Sequence, residues 1–225
     1  KGLISDSAFL IYIRKLLNSE SYSKAYEYAE RLRTKKWMKY YYIYVLLEND
    51  ISGFLYEIEK LKNKRNKSEM EVMYYNFFMI EYLVTNNKYK KNEVENLMKK
   101  IENIYEKNKN NRKFAEVYLD SINIYSFYLS QKSRFKSVEY NQKGLNLAKK
   151  YGFIRYVVLF SINLSYDNIE NNLVFNKYMS ESMKIAYESK DYSKLPEIYF
   201  NYAYNNLYKG NTDEFFKNVS ESIKF

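Results

Sequence analysis

Arg155, Leu159, Asn163 and Tyr166 fall at i, i+4, i+8 and i+11, the spacing of one face of an α-helix. Leu119, Asn123 and Ser126 occupy the corresponding face one repeat earlier, and Asn201 and Asn205 share a face near the end of the chain. Asn76 lies within the most aromatic stretch, Tyr74-Tyr75-Asn76-Phe77-Phe78-Met79-Ile80. An asparagine amide offers a donor and an acceptor on one rigid group, so it matches the backbone amide of an extended peptide. Successive asparagines along a groove would hold a peptide without reading its side chains, and Tyr and Arg would add side-chain selectivity. The competing reading is that these amides bond only inside the protein, or follow from a composition rich in Asn and Lys.

Covalent and metal chemistry have little to work with. The chain has no Cys and no His, which removes thiol nucleophiles, Cys-His pairs, Ser-His-Asp triads and the usual zinc sites. Asp167 with Glu170, and Asp213 with Glu214, are neighbouring acids that could do acid–base work if burial raised one pKa. Their surroundings read more simply as helix caps and solvated loop charges. The five glycines are scattered, so no phosphate-binding loop is formed, and the acids lie mostly on Lys-rich faces. The expectation is a binding protein and not an enzyme, with no cofactor and no metal.

The elements that must position these side chains are helices in repeating pairs. Phe175-Asn176-Lys177-Tyr178-Met179-Ser180-Glu181-Ser182-Met183-Lys184-Ile185 returns as Phe215-Phe216-Lys217-Asn218-Val219-Ser220-Glu221-Ser222-Ile223-Lys224-Phe225, and Ser121-Ile122-Asn123-Ile124 returns as Ser161-Ile162-Asn163-Leu164. Both echoes have an offset of 40 residues, which is the mark of a helical repeat. Helical periodicity predicts pairs at 3–18 and 21–35, 36–48 and 51–64, 68–86 and 91–108, 111–131 and 134–151, 153–167 and 171–189, and 193–209 and 212–225. The fold expected is all-α: a right-handed superhelical solenoid of about six degenerate helix pairs, forming one domain over 1–225.

Local signals support these boundaries. Ser68 with Glu71 forms a capping-box pattern. Gly152 and Gly210 each follow a Lys-bearing last turn and suit a left-handed helix end, and Asn211-Thr212-Asp213 supplies capping oxygens for the last helix. Pro196 fits only a helix start. The first helix of each pair is the more aromatic, as in Tyr40-Tyr41-Tyr42-Ile43-Tyr44-Val45. The second is amphipathic, as in Val94, Leu97, Met98, Ile101 and Ile104-Tyr105. Ala25 and Ala29, and Ala148 and Ala186 at the end of aliphatic-x-aliphatic-Ala patterns, mark close helix contacts. Residues 106–112 read as a loop between repeats, or alternatively as a disordered linker between two domains.

Bulk composition adds limits. The net charge of +10 draws the chain toward anions, nucleic acid or an acidic partner, or else reflects a solvated Lys-rich surface; no dense Arg-rich stripe is present. No apolar run reaches a membrane span and no signal peptide precedes the first helix, so a cytoplasmic protein without a membrane partner is expected. Both ends are abrupt, which suggests a piece of a longer protein.

The paired helices and their small and aromatic positions resemble tetratricopeptide (TPR) repeats, although the 40-residue offset is longer than the usual 34-residue unit and Trp37 is the one Trp. HEAT-type pairs have a similar period. Residues 113–187, with Glu139-Tyr140-Asn141-Gln142-Lys143-Gly144-Leu145 followed by Phe153-Ile154-Arg155-Tyr156-Val157-Val158, resemble the TPR-like quorum-sensing peptide receptors of low-GC bacteria and phages. That group is called RRNPP, and its phage branch is the arbitrium receptors. The resemblance implies a short signalling peptide as ligand, with Arg155 helping to bind it and Asn163 or Tyr166 further along the groove. It also implies a homodimer, and DNA contact through an N-terminal helix-turn-helix, which is expected in a preceding domain because no such motif is identified here. Two other readings stay open: a constitutive protein–protein scaffold, and a basic solenoid on nucleic acid.

Overall fold

A computed structural model of the protein describes Lys24 and residues 39–224, except 91 and 191. Apart from Lys24, the helices expected at 3–18 and 21–35, with Ala25, Ala29 and Trp37, lie outside the described residues. Among the described residues the chain is all-α, with ten helices and no strand. It divides between Lys88 and Tyr89 into two compact units.

The first unit contains α1 (Lys39–Asn49), α2 (Ile51–Asn63) and α3 (Glu69–Thr85). α1 is apolar around most of its circumference, and Tyr42, Ile43, Val45, Leu46 and Leu47 are all buried. Asp50 starts α2 by accepting a bond from the Gly53 N–H at 3.0 Å. Phe54 of α2 packs edge-on against Phe78 of α3, with ring centres 6.3 Å apart. The capping box at α3 forms as the sequence predicts: the Glu71 N–H donates to Ser68 Oγ, and the Ser68 N–H donates to Glu71 Oε2.

The second unit contains α4 (Glu93–Lys107), α5 (Arg112–Ser130), α6 (Arg134–Tyr151), α7 (Ile154–Asp167), α8 (Asn172–Ser189), α9 (Leu195–Tyr208) and α10 (Thr212–Ile223), with a 3-10 turn at Tyr192–Lys194. Each helix packs on the next. The first helices of successive pairs also touch, α5 on α7 and α7 on α9. The loop expected at 106–112 shrinks to the four residues between α4 and α5, inside this one unit.

The helix ends marked by sequence signals follow their capping chemistry except at Asn211. Gly152 (φ 66) and Gly210 (φ 75) take the left-handed conformation, and Pro196 sits in the first turn of α9. Asn111 and Asn171 cap α5 and α8 by accepting from the Lys113 and Val174 N–H groups. Asn211, expected to do the same for α10, makes no side-chain cap bond.

Apolar contacts and polar ties join the pairs. Val158 and Ile162 of α7, Phe175 and Met179 of α8, and Leu195 and Ile198 of α9 form one buried cluster. Glu102 of α4 accepts from Tyr118 of α5 and from Tyr140 and Lys143 of α6. Tyr156 of α7 donates to Asp120 of α5 at 2.6 Å, and Tyr178 of α8 donates to Gln142 of α6 at 3.1 Å. Tyrosine supplies a large ring for the interior and a hydroxyl that reaches the neighbouring pair. Gly144 lets α6 and α7 meet closely, since a Cβ there would lie 2.5 Å from the Phe160 ring.

Candidate functional site

The two Ser-Ile-Asn echoes come together in space. Asn163 Nδ2, on α7, donates to Asn123 Oδ1, on α5, at 3.0 Å, across the 40-residue offset. The same Nδ2 donates to Asn141 Oδ1 of α6 at 3.3 Å. Asn141 Nδ2 in turn donates to Asp167 Oδ2 at 2.7 Å and to Ser137 Oγ at 3.3 Å. The Ser137 hydroxyl donates to the Asp167 carboxylate at 3.1 Å. A polar chain therefore runs from the end of α7 through α6 to the row formed by α5 and α7.

Counting donors and acceptors shows what the chain leaves over. Both hydrogens of Asn163 Nδ2 are used, and so are both of Asn141 Nδ2. Asn163 Oδ1 and Asn123 Nδ2 take no partner among the described residues. Neither is a buried unsatisfied atom, so both reach solvent. The half-buried pair thus offers one carbonyl oxygen and one NH2 group outward.

Exposed rings stand one turn beyond these amides. Phe127 follows Asn123, Tyr166 follows Asn163 and Tyr204 follows Asn201, and all three rings are 42–53% exposed. Tyr166 and Tyr204 lie 6.0 Å apart, centre to centre. Arg155 is exposed at the start of α7 and carries no hydrogen bond or ion pair among the described residues.

The remaining expected residues are placed differently. Asn76 is 2% exposed and donates to the Val72 carbonyl of its own helix. Ser126 is buried and donates to the Asn123 carbonyl. Asn205 is buried and donates to the Ile169 carbonyl, tying α9 to the loop after α7. Asn201 is half-buried and donates to the Glu197 carbonyl. Asn76, Ser126 and Asn205 therefore do not line an open surface: a buried amide or hydroxyl turns to the nearest backbone carbonyl because leaving it unpaired is costly.

Asp167 is also not the solvated loop charge that its neighbourhood suggests. It is 7% exposed, and burial pushes its carboxyl above the usual aspartate value, against the bonds from Asn141 and Ser137 and the nearby Arg134 charge. Glu170, its sequence neighbour, is exposed and pairs with Arg134 at 3.4 Å. Arg134 Nε donates to the Asp167 carbonyl, so the carboxylate is held by neutral donors alone. Asn141 and Ser137 were missed by sequence reasoning. The signal was present: Ser137, Asn141, Gly144 and Ala148 make a small or polar stripe at helical spacing, and all four are buried.

Among the described residues no group of three or more acids could hold a metal, and no helix is long and apolar enough to cross a membrane. Compared with protein-family models, curated proteins and solved structures, the chain finds no match.

Proposed function

We propose that the row formed by α5, α7 and α9 binds a short extended peptide, and that the helix pairs of the second unit continue as a TPR-like stack presenting this row. The observation that supports the reading best is the outward pair on Asn123 and Asn163. A free amide donor beside a free carbonyl acceptor is the complement of one peptide group. Phe127 and Tyr166 stand one turn along their helices from it, Tyr204 lies 6.0 Å from Tyr166, and these exposed rings would receive ligand side chains. Arg155 lies eight residues before Asn163, about 12 Å along the helix, a span covered by roughly four residues of extended chain. The resemblance of residues 113–187 to arbitrium and other RRNPP receptors favours a signalling peptide that controls a transcription regulator.

The test is calorimetry with synthetic peptides translated from the reading frames that flank the gene. One of them is expected to bind and to raise the melting temperature. Replacing Asn123 and Asn163 together with alanine is expected to weaken it by about tenfold or more, the worth of one or two net hydrogen bonds. If no such peptide binds, the receptor reading fails. Amidating the peptide's C-terminus separates the two binding modes: a grip on internal backbone tolerates it, whereas a scaffold that clamps a terminal carboxylate does not.

A further inference from the structure

The amide pair could in principle present itself in either sense. Turning Asn163 over would point its NH2 outward and its oxygen inward, which would reverse what a ligand meets. Something must choose, and the polar chain behind the pair ends on a group that has no such freedom. An ionised carboxylate only accepts. Asp167 therefore requires the NH2 of Asn141 to face it, at 2.7 Å, which leaves Asn141 Oδ1 facing Asn163. That oxygen requires the NH2 of Asn163, and the second hydrogen of Asn163 then requires Oδ1 of Asn123.

We propose that Asp167 is a positioning residue for the amide pair: through Asn141 it fixes Asn163 as the outward acceptor and Asn123 as the outward donor. Asp167 touches no ligand in this arrangement. It acts two side chains away, and its effect is on which backbone group of a ligand is accepted where. Only the statement about a ligand rests on the peptide-binding reading; the orientation of the amides does not.

The surroundings of Asp167 fit this role. Its acceptors meet Ser137 and Asn141 of α6, both neutral. The charged groups near it are Arg134 of α6 and, paired with Arg134, Glu170 of the following loop. α8 and α9 bring it no charged partner among the described residues. The residue also borders a cleft of about 430 Å³ lined by Arg134, Phe135, Val138, Asn168 and Glu170. Protonation would give the carboxyl a donor of its own and end the constraint that it imposes on Asn141.

The experiment is NMR on the whole chain, following the side-chain NH2 resonances of Asn141, Asn163 and Asn123 and the Asp167 carboxyl carbon through an acid titration. All three amides are expected to move with the single midpoint of Asp167. Asp167→Asn is expected to abolish that shared midpoint. Asn141→Ala, which cuts the chain but keeps the carboxylate, is expected to leave Asp167 titrating and Asn163 still. Amides of Asn163 and Asn123 that ignore the Asp167 midpoint in the wild-type protein would overturn the proposal, and this arm needs no variant to fold. That outcome is independent of whether any peptide binds, so it is separable from failure of the receptor reading.

Discussion

Asn163 and Asn123 bond to one another at 3.0 Å although 40 residues separate them, so the two copies of the Ser-Ile-Asn echo are tied side chain to side chain. Their consequences should therefore be coupled. Asn163→Ala strands the buried Asn141 oxygen and is expected to cost about 1–3 kcal/mol. Asn123→Ala removes one partly solvated bond and is expected to cost about 0.5–1.5 kcal/mol. A double-mutant cycle by denaturant unfolding should show the double variant losing less than the sum of the two, because each single change already breaks the shared bond.

Asp167 should make the protein less stable as the pH rises through the acid range. Its folded pKa lies above its unfolded value, so the folded state holds the proton more tightly. The stability that it contributes is complete below the unfolded value and is lost as the pH rises through the folded one. Asp167→Asn is expected to flatten this limb of the melting-temperature profile and, at neutral pH, to be no less thermostable than the wild type. A variant that melts several degrees lower at neutral pH would contradict this.

Buried phenols should resist ionisation until the fold opens. Burial, aided by neighbouring carboxylates, pushes Tyr125 up to about 12, and Tyr105 is likewise pushed up to about 12. Stability held by these groups is complete below the ordinary tyrosine value and is lost as the pH rises toward 12. Phenolate absorbance should show a first, freely titrating class and a second class that appears together with loss of helical circular dichroism.

Gly144→Ala should be destabilising although alanine is the better helix former. The added Cβ would come within 2.5 Å of the Phe160 ring. Overpacking of this kind costs about 1–3 kcal/mol, a fall of roughly 2–12 °C in melting temperature for a chain of this size. Phe160→Leu placed on top of Gly144→Ala should recover part of the loss, read by thermal unfolding.

Ser68→Ala should cost about 1 kcal/mol, because it removes the acceptor that closes the first turn of α3. Ser133→Ala, at an N-cap that makes no side-chain bond, is the control and should change little.

Much of this architecture is legible in the sequence, because it rests on short-range rules. The capping box at Ser68, the left-handed glycines at 152 and 210, and Pro196 at a helix start each need only neighbouring residues to be read. The pairing of Asn123 with Asn163 is anticipated by their shared register in the repeat. What the sequence hides is the third dimension around each amide. Asn76 and Asn163 look alike on a helical wheel, yet one turns to its own backbone and the other to a neighbour, because burial differs. Asp167 looks like a loop acid because it stands at the last position of α7. Only the packing of α6 against that end shows that it is enclosed.

The contact between Gly144 and Phe160 also governs how the sequence can drift. With only a hydrogen between the α6 backbone and the aromatic face, neither position has room to change alone without strain or a void. Among descendants of this chain the two positions should be inherited as a couple: glycine opposite a broad ring, or a larger side chain opposite a smaller one.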